Sequence, residues 1–144
     1  MQQVKKYEIT MVESGVMHLA EPKADSFEAA RAILHALLKD KPYEEVHLIT
    51  LDGRANVTGV VMVSRGGLHG CALTARDVLL PAVAHNASAF ILGHNHPSGD
   101  PTPSHDDLEM TRHIKKCAEL IGIPLLDHIV VTRDGRSRSI VDML

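Results

Sequence analysis

The chain of 144 residues suits one domain with one core and leaves no room for two of ordinary size. Apolar residues make up 44% and charged residues 23%, yet there are only two Phe, two Tyr and no Trp, so the core must be aliphatic and a nucleic-acid surface of stacked rings has little to be built from. The formal net charge of -3 implies no global attraction to DNA, RNA or acidic lipid.

Met1 to Lys6 lacks the apolar run of a signal peptide, and no stretch approaches the ~18–20 apolar residues that span a bilayer. The expectation is a soluble, cytoplasmic protein with no membrane partner. Val4 to Val12 carries enough β-branched and apolar residues for a first strand. Asp25 to Lys39 reads as a helix, with Phe27, Ala30, Leu34 and Leu37 at helical spacing and Asp25 with Glu28 as a capping pair. Residues 1–40 thus form an amino-terminal strand and helix ahead of a core over residues 43–141, the whole being one domain.

Glu45 to Leu51 is a strand ended by the turn pair Asp52-Gly53, and Asn56 to Ser64 returns beside it as a hairpin. Arg65 to Gly70 holds three glycines and is a loop. Thr74 to His85 is helical with Thr74 as N-cap, and Pro81 inside it predicts a kink or an early stop. Ser88 to Leu92 is a short strand of the fully buried type. His105 to Ile121 is the clearest helix, with Leu108, Thr111, Ile114, Ala118 and Ile121 on one face and Gly122 closing it. Leu125 to Thr132 is a strand, and Asp134-Gly135 turns the chain toward a last short strand near Ser139 to Val141. Strands and helices intermix, which predicts an α/β or α+β sandwich with a mixed sheet flanked by helices.

Two cysteines, Cys71 and Cys117, allow neither a disulfide framework nor a cysteine zinc knuckle from this chain alone. Ten histidines are the compositional oddity. Most stand isolated, as surface or core residues do. His94 and His96 differ because they follow the apolar run Ala89-Phe90-Ile91-Leu92; if the extended geometry persists, both rings project to one side. A loop stiffened by Pro97, Pro101 and Pro103 then leads to a helix start at Ser104, with Asp107 in the first turn. Alone, Ser104-x-x-Asp107 is an N-cap with an acidic N3 residue, and Asp100 and Asp106 are turn and helix-start residues. Taken with the two histidines, Asp107 completes an open zinc site: three ligands and a fourth position for water, whose pKa zinc can lower to ~7.

The spacing His94-x-His96, seven residues, Ser104-x-x-Asp107 resembles the JAMM (MPN+) metalloprotease signature. The longer string His94-Asn95-His96-Pro97-Ser98-Gly99-Asp100-Pro101-Thr102-Pro103-Ser104 is similar to the bacterial RadC branch of that family, in which Asn95 is typical. Glu45 to Asp52 resembles the strand that opens the RadC domain, and Leu125 to Val130 the strand after its long helix. The resemblance implies a JAB/MPN (cytidine-deaminase-like) sandwich and a zinc-dependent hydrolase of amide, peptide or isopeptide, bonds. It implies zinc ligation by His94, His96 and Asp107, a general acid/base role for Glu45, and a carbonyl-oxygen contact for Ser104. Glu44, on the opposite face of an alternating strand, is the competitor for the base role. The implied partner is a protein or peptide substrate.

Two other classes compete. The RadC branch carries a DNA-repair label, but the first ~40 residues do not resemble the helix-hairpin-helix region usual in full-length relatives. The basic cluster Arg133-x-x-Arg136-x-Arg138 merely flanks an Asp-Gly turn, so nucleic-acid binding should be weak or absent. A zinc-stabilised interaction module without turnover is the third reading, and the complete ligand set argues against it. A deaminase is excluded because no Pro-Cys-x-x-Cys element is present.

Overall fold

The computed structural model describes residues 1–66 and 73–144. The glycine loop expected over Arg65 to Gly70 falls outside the described residues from residue 67 onward, as do His69 and Cys71. Helix α1 spans Phe27–Leu38, strand β1 Glu45–Leu51, β2 Val57–Arg65, helix α2 Ala75–Ala84, β3 Ala89–Asn95, helix α3 His105–Ile121, β4 Leu125–Val131 and β5 Ser137–Ser139. The five strands form one sheet in the order β2-β1-β3-β4-β5. All neighbours are antiparallel except β3 and β4, which run parallel because α3 carries the chain back between them. The sheet is therefore mixed, as the sequence predicts. Among the described residues, no helix is long and apolar enough to cross a membrane.

Helices cover both faces. Ala30, Ile33, Leu34 and Leu38 of α1 pack with Ile49, Leu51, Ile91, Ile129 and Val131 of the strands on one side. On the other, Val78 and Ala82 of α2 and Ile114 and Ala118 of α3 pack with Val46, Leu48, Phe90, Leu92 and Leu125. Period-two alternation along β1 and β3 assigns the faces: even-numbered residues meet α2 and α3, odd-numbered residues meet α1. His94 continues the Phe90, Leu92 series and thus faces α3. The α1 face is rotated from the expected one, with Phe27 exposed and Ile33 and Leu38 buried in its place. In α3, Ile121 is likewise exposed.

Local signals set the helix ends. Ser26 caps α1 by accepting from Ala29 N–H at 3.2 Å, so the cap is one residue later than Asp25. Thr74 and Asp77 close a reciprocal capping box on α2, and that helix continues one turn past Pro81 to Ala84. Gly122 ends α3 in the left-handed region at φ 77°.

Two expected strands need correction. Val4 to Val12 is not a strand: residues 1–19 carry no regular structure and Val4, Tyr7, Ile9 and Val12 are exposed. A strand needs an edge to pair with, and the outer edge of β2 is met only further on, where Ala55 and Val57 bond Ala24 and Pro22. The last strand lies at Ser137–Ser139, and Val141–Met143 is a 3₁₀ turn instead. The pairing of Ile129 with Ser139 and Val131 with Ser137 consumes the few residues left after the Gly135 turn.

At Gly93 the α1 side chains come close to the sheet backbone. A Cβ added there would lie 2.2 Å from Leu34 Cδ2 and 2.5 Å from Cδ1. Leu34 is fully buried and has nowhere to retreat. Gly93→Ala should therefore cost about 1–3 kcal/mol in a denaturant titration. An unchanged midpoint would mean that α1 does not seat this tightly on β3.

Candidate metal centre

The expected extended geometry does persist. Strand β3 runs beyond Leu92 to Asn95, and the ladder continues as His96 N–H donates to Val131 C=O at 3.1 Å. This places the His94 and His96 rings on one side of the carboxyl end of β3, next to the parallel strand β4. The following loop is held by its own bonds. Gly99 N–H donates to His96 C=O at 3.1 Å, with Gly99 at φ 89°, and Thr102 N–H donates to Asp100 Oδ1 at 2.9 Å. Arg136 also reaches across to the Gly99 carbonyl. The loop then ends at Ser104, the N-cap of α3.

At that cap, Ser104 Oγ accepts from Asp107 N–H at 3.1 Å, and Ser104 N–H donates to Asp107 Oδ2 at 2.9 Å. The capping reading of Ser104 and Asp107 is thus true, and it serves the site as well, because the reciprocal bonds orient the carboxylate. Asp107 Oδ2 stands 3.4 Å from His94 Nε2 and 3.4 Å from His96 Nε2, and the two ring nitrogens are 3.1 Å apart. His94, His96 and Asp107 form a group that could hold one metal ion.

The donor set fits such an ion on two counts. Ligand atoms 2.0–2.1 Å from a tetrahedral zinc ion lie about 3.3–3.4 Å apart, close to the spacing seen. Moreover, His96 Nδ1 lies 2.8 Å from the Asp100 carbonyl, which can only accept, so Nδ1 carries the proton and a neutral His96 turns a bare Nε2 inward. Asp107 Oδ1 is buried with no hydrogen-bond partner among the described residues. Acceptors that converge in this way call for a cation. Burial pushes the Asp107 pKa up, but His94 and His96, where they carry a proton toward it, outweigh that and hold the carboxyl well below the usual carboxylate range. For His96, burial pulls the pKa down, and the Asp107 carboxylate and the Asp100 carbonyl outweigh it, leaving it raised.

The structure does not set the Glu45 carboxylate against this group. Glu45 Oε1 is 3.2 Å from His47 Nε2 and 3.9 Å from Arg65 Nη2, on the odd-numbered face of β1. The carboxylate beside the histidines is that of Glu44, with Oε1 3.8 Å from His96 Nε2. Parity explains the difference, since Glu44 shares its side of the sheet with Val46, Leu48 and His94. The backbone at Glu44 is held in line with β1 by Gly66 N–H, which donates to its carbonyl at 2.8 Å.

Three further residues build the site without having stood out as site candidates. Asn95, on the opposite face of β3, accepts from Glu45 N–H at 2.8 Å and donates to Tyr43 C=O at 3.0 Å, which fastens the Glu44 segment to the end of β3. His128 and Thr111 stand behind His94. Their signal in the sequence was only a buried position, which any apolar side chain could fill. Beside His96 opens a cavity of about 190 Å³, bordered by Lys39, Lys41, Pro42, Asn95 and Arg133. No carboxylate is among its described lining residues.

Comparison with known proteins agrees with this geometry. The model of the RadC-like JAB domain matches residues 24–143. A UPF0758 protein of Geobacter sulfurreducens is 41% identical over 107 residues, covering 74% of this chain and 46% of that protein. One from Pelobacter propionicus is 40% identical over 121 residues, covering 82% and 52%. One from Azotobacter vinelandii is 36% identical over 137 residues, covering 92% and 61%. The chain spans about half the length of the curated relatives it matches.

Proposed function

The chain belongs to the RadC-like JAB domain family, and from that premise we propose that it is a zinc-dependent hydrolase of amide bonds in a peptide or isopeptide substrate. The observation that carries this reading is the convergence of His94 Nε2, His96 Nε2 and Asp107 Oδ2, with a further carboxylate, Glu44, at the rim. Among the described residues three ligands converge rather than four, the pattern of a catalytic site and not of a closed structural one. Zinc held there would supply Lewis acidity and make water a nucleophile near neutral pH. Glu44 takes the proton from the attacking water and returns it to the leaving amine. The Ser104 hydroxyl accepts from Asp107 N–H and keeps its own proton to donate to the substrate carbonyl oxygen as negative charge develops there. The cavity borders the metal group at His96 alone, and it receives the part of the substrate chain beyond the scissile bond. Its two lysines, Lys39 and Lys41, favour a substrate with carboxylates close to the scissile bond.

Elemental analysis of the purified chain after dialysis against zinc tests the reading. It should show about one zinc per chain, bound through nitrogens at roughly 2.0–2.1 Å by X-ray absorption. A zinc-free protein under these conditions, or a sulfur-dominated coordination shell, would sink it.

Two of the three arginines in the basic cluster are engaged within the chain, which weighs against the DNA-associated alternative. Arg136 is spent on Asp134 and the Gly99 carbonyl, and Arg133 on the Lys39 carbonyl. Fluorescence anisotropy with duplex DNA at physiological salt should show at most weak binding that fades as salt rises. Submicromolar affinity would reverse the ranking of the two readings.

A further inference from the structure

Behind the candidate metal centre, on the α3 face of the sheet, lies a chain of short contacts with only one workable arrangement of protons. Thr111 Oγ1 is 2.7 Å from the Asp107 carbonyl oxygen and 2.7 Å from His128 Nδ1. His128 Nε2 is in turn 2.7 Å from His94 Nδ1. All the side chains involved, His94, Asp107, Thr111 and His128, are buried. A carbonyl has no proton to give, so the hydroxyl of Thr111 must donate to Asp107. Its oxygen is then left as acceptor, and His128 must donate from Nδ1. A neutral His128 has its single proton there, which leaves Nε2 bare to accept from His94 Nδ1–H. A neutral His94 thereby presents the lone pair of Nε2 toward His96 and Asp107.

We propose that Thr111 and His128 are positioning residues that fix the metal-ready tautomer of His94, with the backbone carbonyl of Asp107 setting the direction of the relay. This rests on reading the three-residue group as a metal site. The carbonyl that starts the relay belongs to the residue whose side chain is itself a ligand, so the path from Asp107 to His94 closes on the site from behind. Seating of the α3 start, through Asp107, and the ring state of His94 are thus coupled through two side chains. Without the hydroxyl, His128 is free to carry its proton on Nε2 and donate to His94 Nδ1. The His94 proton is then displaced onto Nε2, where it occupies the ligand position.

The test uses the whole chain and two readouts. Long-range ¹H–¹⁵N correlation on the zinc-free wild type should show hydrogen on Nδ1 of both His94 and His128. An unprotonated Nδ1 on either ring overturns the relay, and this measurement needs no variant to fold. Competition for zinc against a chelator should show affinity about 10–100-fold weaker in Thr111→Val, the usual cost of removing a partner behind a ligand, and near wild type in Thr111→Ser. Valine matches threonine in shape but has no hydroxyl; serine keeps the hydroxyl without the methyl. Equal affinity in Thr111→Val and wild type overturns the relay while leaving the metal site standing. Failure of the wild type to bind zinc overturns the metal site itself, and the nitrogen spectra still decide the relay.

Discussion

Replacing His96 with alanine should strip the chain of nearly all its zinc while leaving it folded. His96 sits at the end of β3, partly exposed, and its ring meets the members of the site: His94, Asp107, the Asp100 carbonyl and Glu44. No core cluster depends on it. Removing the ring takes one of three ligands and leaves a histidine and a carboxylate, too few to compete with water and buffer for the ion. Wild type should hold about one zinc per chain after dialysis and His96→Ala close to none, with unchanged far-ultraviolet circular dichroism. His105→Ala is the control, because His105 is an exposed residue at the start of α3, two residues from Asp107, and should keep its zinc. Equal zinc in wild type and His96→Ala would show the ligand assignment to be wrong. Equal loss in His105→Ala would point to damage at the helix start rather than to a lost ligand.

The second large effect separates turnover from metal binding and decides between two adjacent carboxylates. Glu44→Gln keeps the size and hydrogen-bonding reach of the side chain but cannot accept a proton. Zinc content should survive, and turnover should fall roughly 10²–10⁴-fold, the range for losing a general base. Glu45→Gln should change turnover little. Its side chain is 2% exposed, paired with His47 on the other face of β1, and the amide oxygen of Gln can still accept from that ring. Any effect should appear in stability, because the neighbouring Glu45 Oε2 and His47 Nδ1 already have no partner among the described residues. The assay needs a substrate that the wild type cleaves, found by screening quenched peptides and isopeptide-linked conjugates enriched in Asp and Glu. Loss of activity in Glu45→Gln with Glu44→Gln unaffected would restore the role that the family resemblance implies for Glu45. If both variants match wild type, neither carboxylate is the base.

The difficulty with these two residues shows where sequence reasoning stops. The bounds of β1 and α3 coincide with those expected, because a turn pair closes one and a capping serine and a terminal glycine bracket the other. Face assignment along β1 did not follow in the same way. The strand lies between β2 and β3 under helices on both sides, and every residue from Glu45 to Leu51 is buried. A strand buried on both faces has no polar alternation to read, so its parity becomes visible only against its neighbours. At Val4 to Val12 β propensity is present, but the segment pairs with no strand of the sheet.

The three metal-group residues, by contrast, were determined by the sequence alone, because each rests on local geometry. Period two brings His94 and His96 to one side, and the first turn of a capped helix presents Asp107, so seven intervening residues with three prolines leave little freedom in how the two ends meet. The tertiary structure decided everything that supports them. His128 meets His94 across 34 residues, Thr111 meets His128 across 17, and Asn95 meets Glu45 across 50. Such contacts follow from strand order and from how α3 lies on the sheet, which no local period encodes. Membership of the candidate metal group is thus a property of segments, whereas the surroundings that orient it are properties of the assembled layers.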